Sequence, residues 1–283
     1  MNQFSTSAAT AESQTPATID AFDRLTPLGW RWGLAAIIAG LAVSFFLFGY
    51  ALIYWRNADM DLVLIYNALA LNDGKPQAFF DHPAYLTILS VEFWYRLLHA
   101  LGLLDAWKLS AIPSAADVPA FDAAMTGAVR AGRLLALLIA AVSVLIFAGL
   151  ARVILRDWRV ALFATLAFAL SGGIAVHSRI LRTELVAACP AIFALMILIA
   201  VGRRASIARP LAMAMAAGLC VLGLENKVQA ILLIGVLPMV ILPFGSAASP
   251  SVAFWRHPRS ACSTPGSCRR FRRPPTSRPS TPP

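Results

Sequence analysis

The chain has 283 residues, of which 59% are hydrophobic and only 13% charged, against roughly 45–50% apolar and 25% charged in ordinary soluble domains; this excludes a soluble globular protein and points to one embedded in a membrane. Its formal charge of +10 does not indicate a nucleic-acid surface, because seven arginines fall in the last 38 residues and the first 245 carry 17 Lys and Arg against 14 Asp and Glu. The four cysteines, Cys189, Cys220, Cys262 and Cys268, form no close pair at metal-ligand spacing and read as incidental small side chains.

Residues 1–30 hold Glu12, Asp20 and Asp23 and precede an uncharged run from Gly33 to Trp55. That run starts too late and is too long for a cleaved leader, and it matches the roughly 20 residues that cross a bilayer. It is expected to be a retained span behind a cytoplasmic tail. Further apolar runs lie at 134–151, 160–176, 185–201, 211–224 and 228–244. The expected fold is therefore an all-α membrane protein of about six transmembrane helices, with 31–245 as the membrane domain.

Short basic loops set the orientation, because cytoplasmic loops carry excess Lys and Arg. Arg152, Arg156 and Arg159 follow the second run, and Arg203, Arg204 and Arg209 follow the fourth. Both loops are expected inside, which puts 56–133, 177–184 and 225–227 outside. The segment 56–133 holds eight of the fourteen acidic residues, yet Leu62, Ile65, Tyr66, Leu69 and Ala70 recur at helical spacing, and Pro83–Leu104 is apolar but broken by Glu92, Arg96 and His99. Two amphipathic surface helices are predicted in this first outer loop, since three ionisable residues would be costly in a crossing segment. From Ser246 the chain turns rich in Pro, Ser and Arg with no acid. It reads as a disordered basic tail or as sequence read out of frame.

Chemistry-bearing residues collect on the outer side. Asp59 and Asp61 follow the first run, and Asp81-His82-Pro83 adds a further acid and a proton carrier. The stretch 177–184, HSRILRTE, places Arg179 and Arg182 where the positive-inside rule disfavours them; planar guanidinium forks suit phosphate. Glu184 is either a functional acid or their counter-ion. Lys227, in Glu225-Asn226-Lys227, is a second candidate for an anion, unless it merely snorkels from a polar turn. Acids among cations on one face suit an anionic lipid-borne donor attacked by a hydroxyl.

The order of Asp59, YNALALNDGKPQAFFDHPAYLTI, a helix ending RLLHALG, Arg130 and Arg133 entering a span, HSRILRTELVAA and LGLENKVQAILLI resembles the C superfamily of membrane glycosyltransferases. The nearest groups are the dolichyl-phosphate-mannose protein mannosyltransferase-like enzymes and the lipid A aminoarabinose transferases, and the resemblance covers about 30–245. It implies transfer of a sugar from a polyprenyl phosphate to a lipid, glycan or protein hydroxyl at the periplasmic face of the inner membrane, by an inverting displacement. It implies Asp59 as the base, with Asp61 a second acid displaced by one residue because Met60 stands where relatives often carry it. Asp81 and His82 match a stretch lining the donor site, Glu184 an acid opening span four, and Lys227 a lysine before span six. His82, Arg179, Arg182 and Lys227 would then hold the donor phosphate as charge builds on it. No cofactor motif is present, and a divalent metal is left open. Such enzymes usually have more spans, so the chain is expected to be the N-terminal half of one. The alternative is a small transporter or permease subunit, for which broken spans and an inverted repeat would speak.

Overall fold

A computed structural model describes residues 28–57, 61–78, 84–155, 157–202 and 209–237. Asp59, Asp81 and His82 lie outside the described residues, as do Arg156, Arg203, Arg204, residues 238–244 of the expected sixth span, the N-terminal residues 1–27 and the tail 246–283. The described residues are helical, with no strand among them.

Helix α1, Leu28–Phe45, takes up the first apolar run and continues through a π-helical turn, Phe46–Tyr50. Helices α2, Val63–Asn72, and α3, Tyr85–Ala100, follow. Helix α4, Val118–Ile154, is 37 residues long, or about 55 Å at 1.5 Å per residue. Asp117 caps it by accepting the Ala120 N–H at 3.3 Å, and Pro119 sits in its first turn, where a missing N–H costs nothing. Helix α5, Trp158–Leu170, is capped by Asp157, and a short α6, Gly172–His177, is capped by Ser171. Helices α7, Thr183–Gly202, α8, Arg209–Asn226, and α9, Ala230–Ile234, complete the described part.

Three of these segments are long and apolar enough to cross a membrane: Leu28–Tyr50, Val118–Ile154 and Thr183–Val201. They carry residues 33–50 of the first expected run and all of the runs 134–151 and 185–201. Trp158–Leu170 and Pro210–Asn226 are shorter apolar helices. The run 160–176 is not one helix: Ser171 turns its side chain back to accept the Ile174 N–H at 3.4 Å and starts α6 anew. Many large apolar side chains point away from the protein, including Trp32, Phe46, Phe48, Phe163 and Leu232. Apolar surface on this scale belongs in lipid rather than water, so the chain is a membrane protein.

The bundle is held by small residues on α4. Ala128, Gly132, Ala136, Ala140, Ala148 and Ala151 are all buried, which lets neighbouring backbones come close where lipid supplies no hydrophobic drive. Leu41 and Phe45 of α1 meet Leu137, Ala140 and Val144 of α4 and Leu185, Cys189 and Phe193 of α7 in one core. A second core joins α2 and α3 to the first turns of α4 through Ile65, Leu69, Ile88, Val91, Tyr95 and Val129. Tyr95 donates its hydroxyl to the Ala128 carbonyl at 2.5 Å and Trp94 its indole N–H to the Ala131 carbonyl at 2.9 Å. The helical spacing read at 62–70 is present with one difference. Tyr66 is exposed, and Leu64, Asn67 and Ala68 complete the buried face, because α2 is enclosed by α3 and α4 over more than a single stripe.

Candidate functional site

Charged and polar side chains from five segments meet at one end of the bundle, where α1 and α8 end and α7 begins. At their centre Arg133 and Asp61 are both fully buried. Arg133 donates its Nε–H to Asp61 Oδ2 at 2.7 Å, and its Nη2 lies 2.7 Å from the same oxygen without being aligned as a hydrogen bond. Its Nη1 donates to the carbonyls of Gly49, at 3.2 Å, and Leu52, at 2.5 Å. Asp61 Oδ1 accepts the Leu181 N–H at 2.8 Å. Burial pushes the Asp61 carboxyl above its ordinary range, against the opposing pull of Arg133 and the Leu181 N–H. One ion pair thus ties the end of α1, the start of α2, the middle of α4 and the turn before α7. Gly49 is required there: a Cβ would come within 2.9 Å of the Arg179 carbonyl oxygen.

Around this centre, among the described residues, stand cations without an equal number of acids. Arg179 donates its Nε–H to Ser44 Oγ at 2.9 Å and lays its guanidinium over the Phe48 ring at 5.1 Å. Arg130, one turn before Arg133, lies over the Tyr50 ring at 4.8 Å. The Nε atoms of both Arg130 and Arg182 are enclosed and meet no acceptor among the described residues. Such an orphaned donor carries a desolvation cost of about 1–3 kcal/mol or more until something accepts from it. Arg182 is close enough to Asp61, His177 and Glu184 to act on all three electrostatically.

Glu184, in the first turn of α7, pairs with Lys227 at 2.8 Å, each side chain about one-third exposed (33% and 30%). The preceding residue of the same turn fixes Lys227 in place. Asn226 donates its side-chain N–H to the Thr183 carbonyl at 2.6 Å, and its Oδ1 accepts both the N–H and the hydroxyl of Thr87, at 3.0 and 2.8 Å. That clamp joins α8 to α7 and α3. His177 and Glu184 wall a cavity of about 130 Å³ opened by the break at Ser171, with Gly173, Leu185 and Cys189 on its other sides. Burial lowers the His177 pKa from its usual 6.5, with Arg182 and Lys227 acting in the same sense and Glu184 against them.

Of the residues singled out from sequence, Asp61, Arg179, Arg182, Glu184 and Lys227 are brought to this end. They do not play equal parts. Asp61, grouped with Asp59 and Glu184 as an acid of the reaction, is 0% exposed and has both oxygens occupied by donors; in this arrangement it anchors the site. Sequence reading missed Arg130 on Tyr50, the Asn226 clamp and His177 on the cavity wall. The signal for Arg130 lay in its spacing of three from Arg133, which sets both on one helix face. Among the described residues no three His, Cys, Asp or Glu side chains are grouped so as to hold a metal ion.

The chain matches no protein family, no curated protein and no solved structure. What the site can do therefore rests on its own chemistry.

Proposed function

We propose that this end of the bundle binds the phosphate of a polyprenyl-phosphate sugar, and that the chain belongs to an enzyme passing that sugar to a hydroxyl acceptor. The observation that carries the reading is the surplus of buried or half-buried cations. Asp61 is spent on Arg133 and Glu184 on Lys227, which leaves Arg179 and Arg182 with no carboxylate of their own among the described residues, the latter with an orphaned Nε. Guanidinium groups at apolar helix ends call for an anion, and a phosphate whose lipid tail runs along the bundle supplies one.

In this reading Arg179, Arg182 and Lys227 offset the charge that grows on the phosphate as the glycosidic bond to it breaks. Asp59, two residues before the buried Asp61, takes the proton of the attacking hydroxyl, and attack from the opposite face inverts the anomeric carbon; this step follows the glycosyltransferase resemblance. His82 and Asp81 line the donor site on the same ground. The acceptor is a lipid, glycan or protein, and the face is periplasmic on an inner membrane, as the basic loops at the other end suggest. Six crossings, with α2 and α3 on the membrane surface, belong to the same proposal.

The test is binding of a labelled polyprenyl-phosphate sugar to the full chain in lipid nanodiscs. Arg182→Ala is expected to weaken it at least tenfold, while Asp59→Asn leaves binding intact and abolishes any transfer. Affinity unchanged by Arg182→Ala and by Arg179→Ala would sink the assignment.

One observation favours a second reading, a permease subunit. The interruption of α5 and α6 at Ser171 beside a cavity is the kind of broken helix that lines transporter paths. Solute flux through proteoliposomes without affinity for the polyprenyl phosphate would select it.

A further inference from the structure

At the opposite end of the bundle, α1 and α5 are drawn together by glycine. A Cβ on Gly29 would meet the Trp158 ring at 3.0 Å, and one on Gly33 would overlap Leu162 at 2.4 Å. Trp158 and Leu162, four residues apart, thus seat on Gly29 and Gly33, also four apart, in the small-xxx-small manner of membrane helix pairs. Along this pair lies an open hollow of about 560 Å³, lined by Gly33, Ala36 and Ile37 of α1 and by Leu162, Phe163 and Leu166 of α5. Trp158 and Arg159 stand at one end of it.

The two ends of this hollow differ in chemistry. From Arg159 to Leu166 it runs about 10 Å along the helix axis, some two-thirds of the hydrocarbon depth of one leaflet, and every wall residue there is apolar. Its mouth carries a tryptophan, the side chain that settles at the headgroup level, with the Arg159 guanidinium 5.5 Å above its ring. Asp157, the nearby acid, accepts the Arg159 backbone N–H at 2.8 Å as the cap of α5 and makes no ion pair with the guanidinium. The mouth therefore presents a guanidinium and the interior is oily.

We propose that this hollow is a binding site for one anionic phospholipid, with an acyl chain between α1 and α5 and its phosphate on Arg159. A zwitterionic lipid of the same chain length fits the interior equally well but brings a cationic group to Arg159. The site is separate from the polyprenyl-phosphate site and stands whether or not that reading holds.

The experiment is native mass spectrometry of the full chain released from mixed micelles holding phosphatidylglycerol and phosphatidylcholine with matched acyl chains. One phosphatidylglycerol is expected to be retained in preference. Arg159→Gln should reduce that preference about fivefold, the worth of one arginine at an anionic surface. Ala36→Trp, at an exposed position, fills the hollow and should lower retention of both lipids. Equal retention of the two lipids by the unaltered chain overturns the proposal. So does loss with Arg159→Gln but none with Ala36→Trp, which would place the headgroup on the arginine without a chain in the hollow, or displacement of the bound lipid by millimolar inorganic phosphate.

Discussion

Removing Arg133 would strand the Asp61 carboxylate, fully buried beside Leu181, without its counter-ion. A buried ion pair costs much desolvation to form, so its presence is weak ground for stability, but breaking one side of it is another matter. Arg133→Met is expected to destabilise the chain by about 3–5 kcal/mol, read as a shift of the denaturation midpoint in mixed micelles. Asp61→Leu combined with Arg133→Met should recover part of the loss, because no charge is then left unpaired; the carbonyls of Gly49 and Leu52 still lose their donor. If Arg133→Met melts like the unaltered chain, the pair does not hold the site together. His177 offers a second test at the same scale. Its folded pKa lies below the usual 6.5, from burial first, with Arg182 and Lys227 adding to it and Glu184 opposing. The unfolded chain therefore takes up a proton at a higher pH than the folded one does. Stability contributed by the neutral ring is present above 6.5 and is lost as the pH falls from there through the lower folded pKa. The apparent melting temperature is expected to drop as the pH falls below about 6.5, and His177→Gln should flatten that drop. An identical slope in the variant would show that other groups set it.

At the scale of the helices, composition over length was the readable signal. The runs 134–151 and 185–201, and residues 33–50 of the run 33–55, fall within the three segments long enough to cross a membrane, because a charge-free stretch of that length has few other stable solutions. Ends and breaks were less legible. Helix α4 begins at Val118, well before its apolar run, and the cap of Asp117 with Pro119 announces that start, though hydropathy alone does not register it. The break at Ser171 was written as Ser-Gly-Gly inside an apolar run. A serine accepting the N–H three residues on is a local competitor of helix continuation, and average hydropathy hides it. Within the site, the charged turns 177–184 and 225–227 stood out in sequence since ionisable groups between apolar runs are costly unless used. The pairing of Asp61 with Arg133 did not, because 72 residues separate them and no local pattern encodes a contact at that range. The Thr87–Asn226 clamp, across 139 residues, was hidden for the same reason.

For the molecule as a whole, the direction of each helix follows from these contacts. Helix α1 arrives at the polar end, since Gly49 just beyond it accepts from Arg133. Helix α7 departs from that end with Glu184 in its first turn, and α8 returns to it with Asn226 and Lys227. Helix α5 starts at the other end, where Trp158 meets Gly29 at the beginning of α1. The surplus cations of the polar end and Arg159 are thereby separated by the length of the apolar cores, and a bilayer crossed along that length would hold them in opposite compartments. With the native cysteines replaced, Glu225→Cys and Arg159→Cys should therefore react with an impermeant maleimide from opposite sides of sealed vesicles. Inverted vesicles prepared from cells should expose Arg159→Cys, as the positive-inside rule requires, and intact cells or spheroplasts Glu225→Cys. Labelling of both from one side would mean that the bundle does not cross the membrane along its long axis, and the polar end would then have no lipid-borne phosphate within reach.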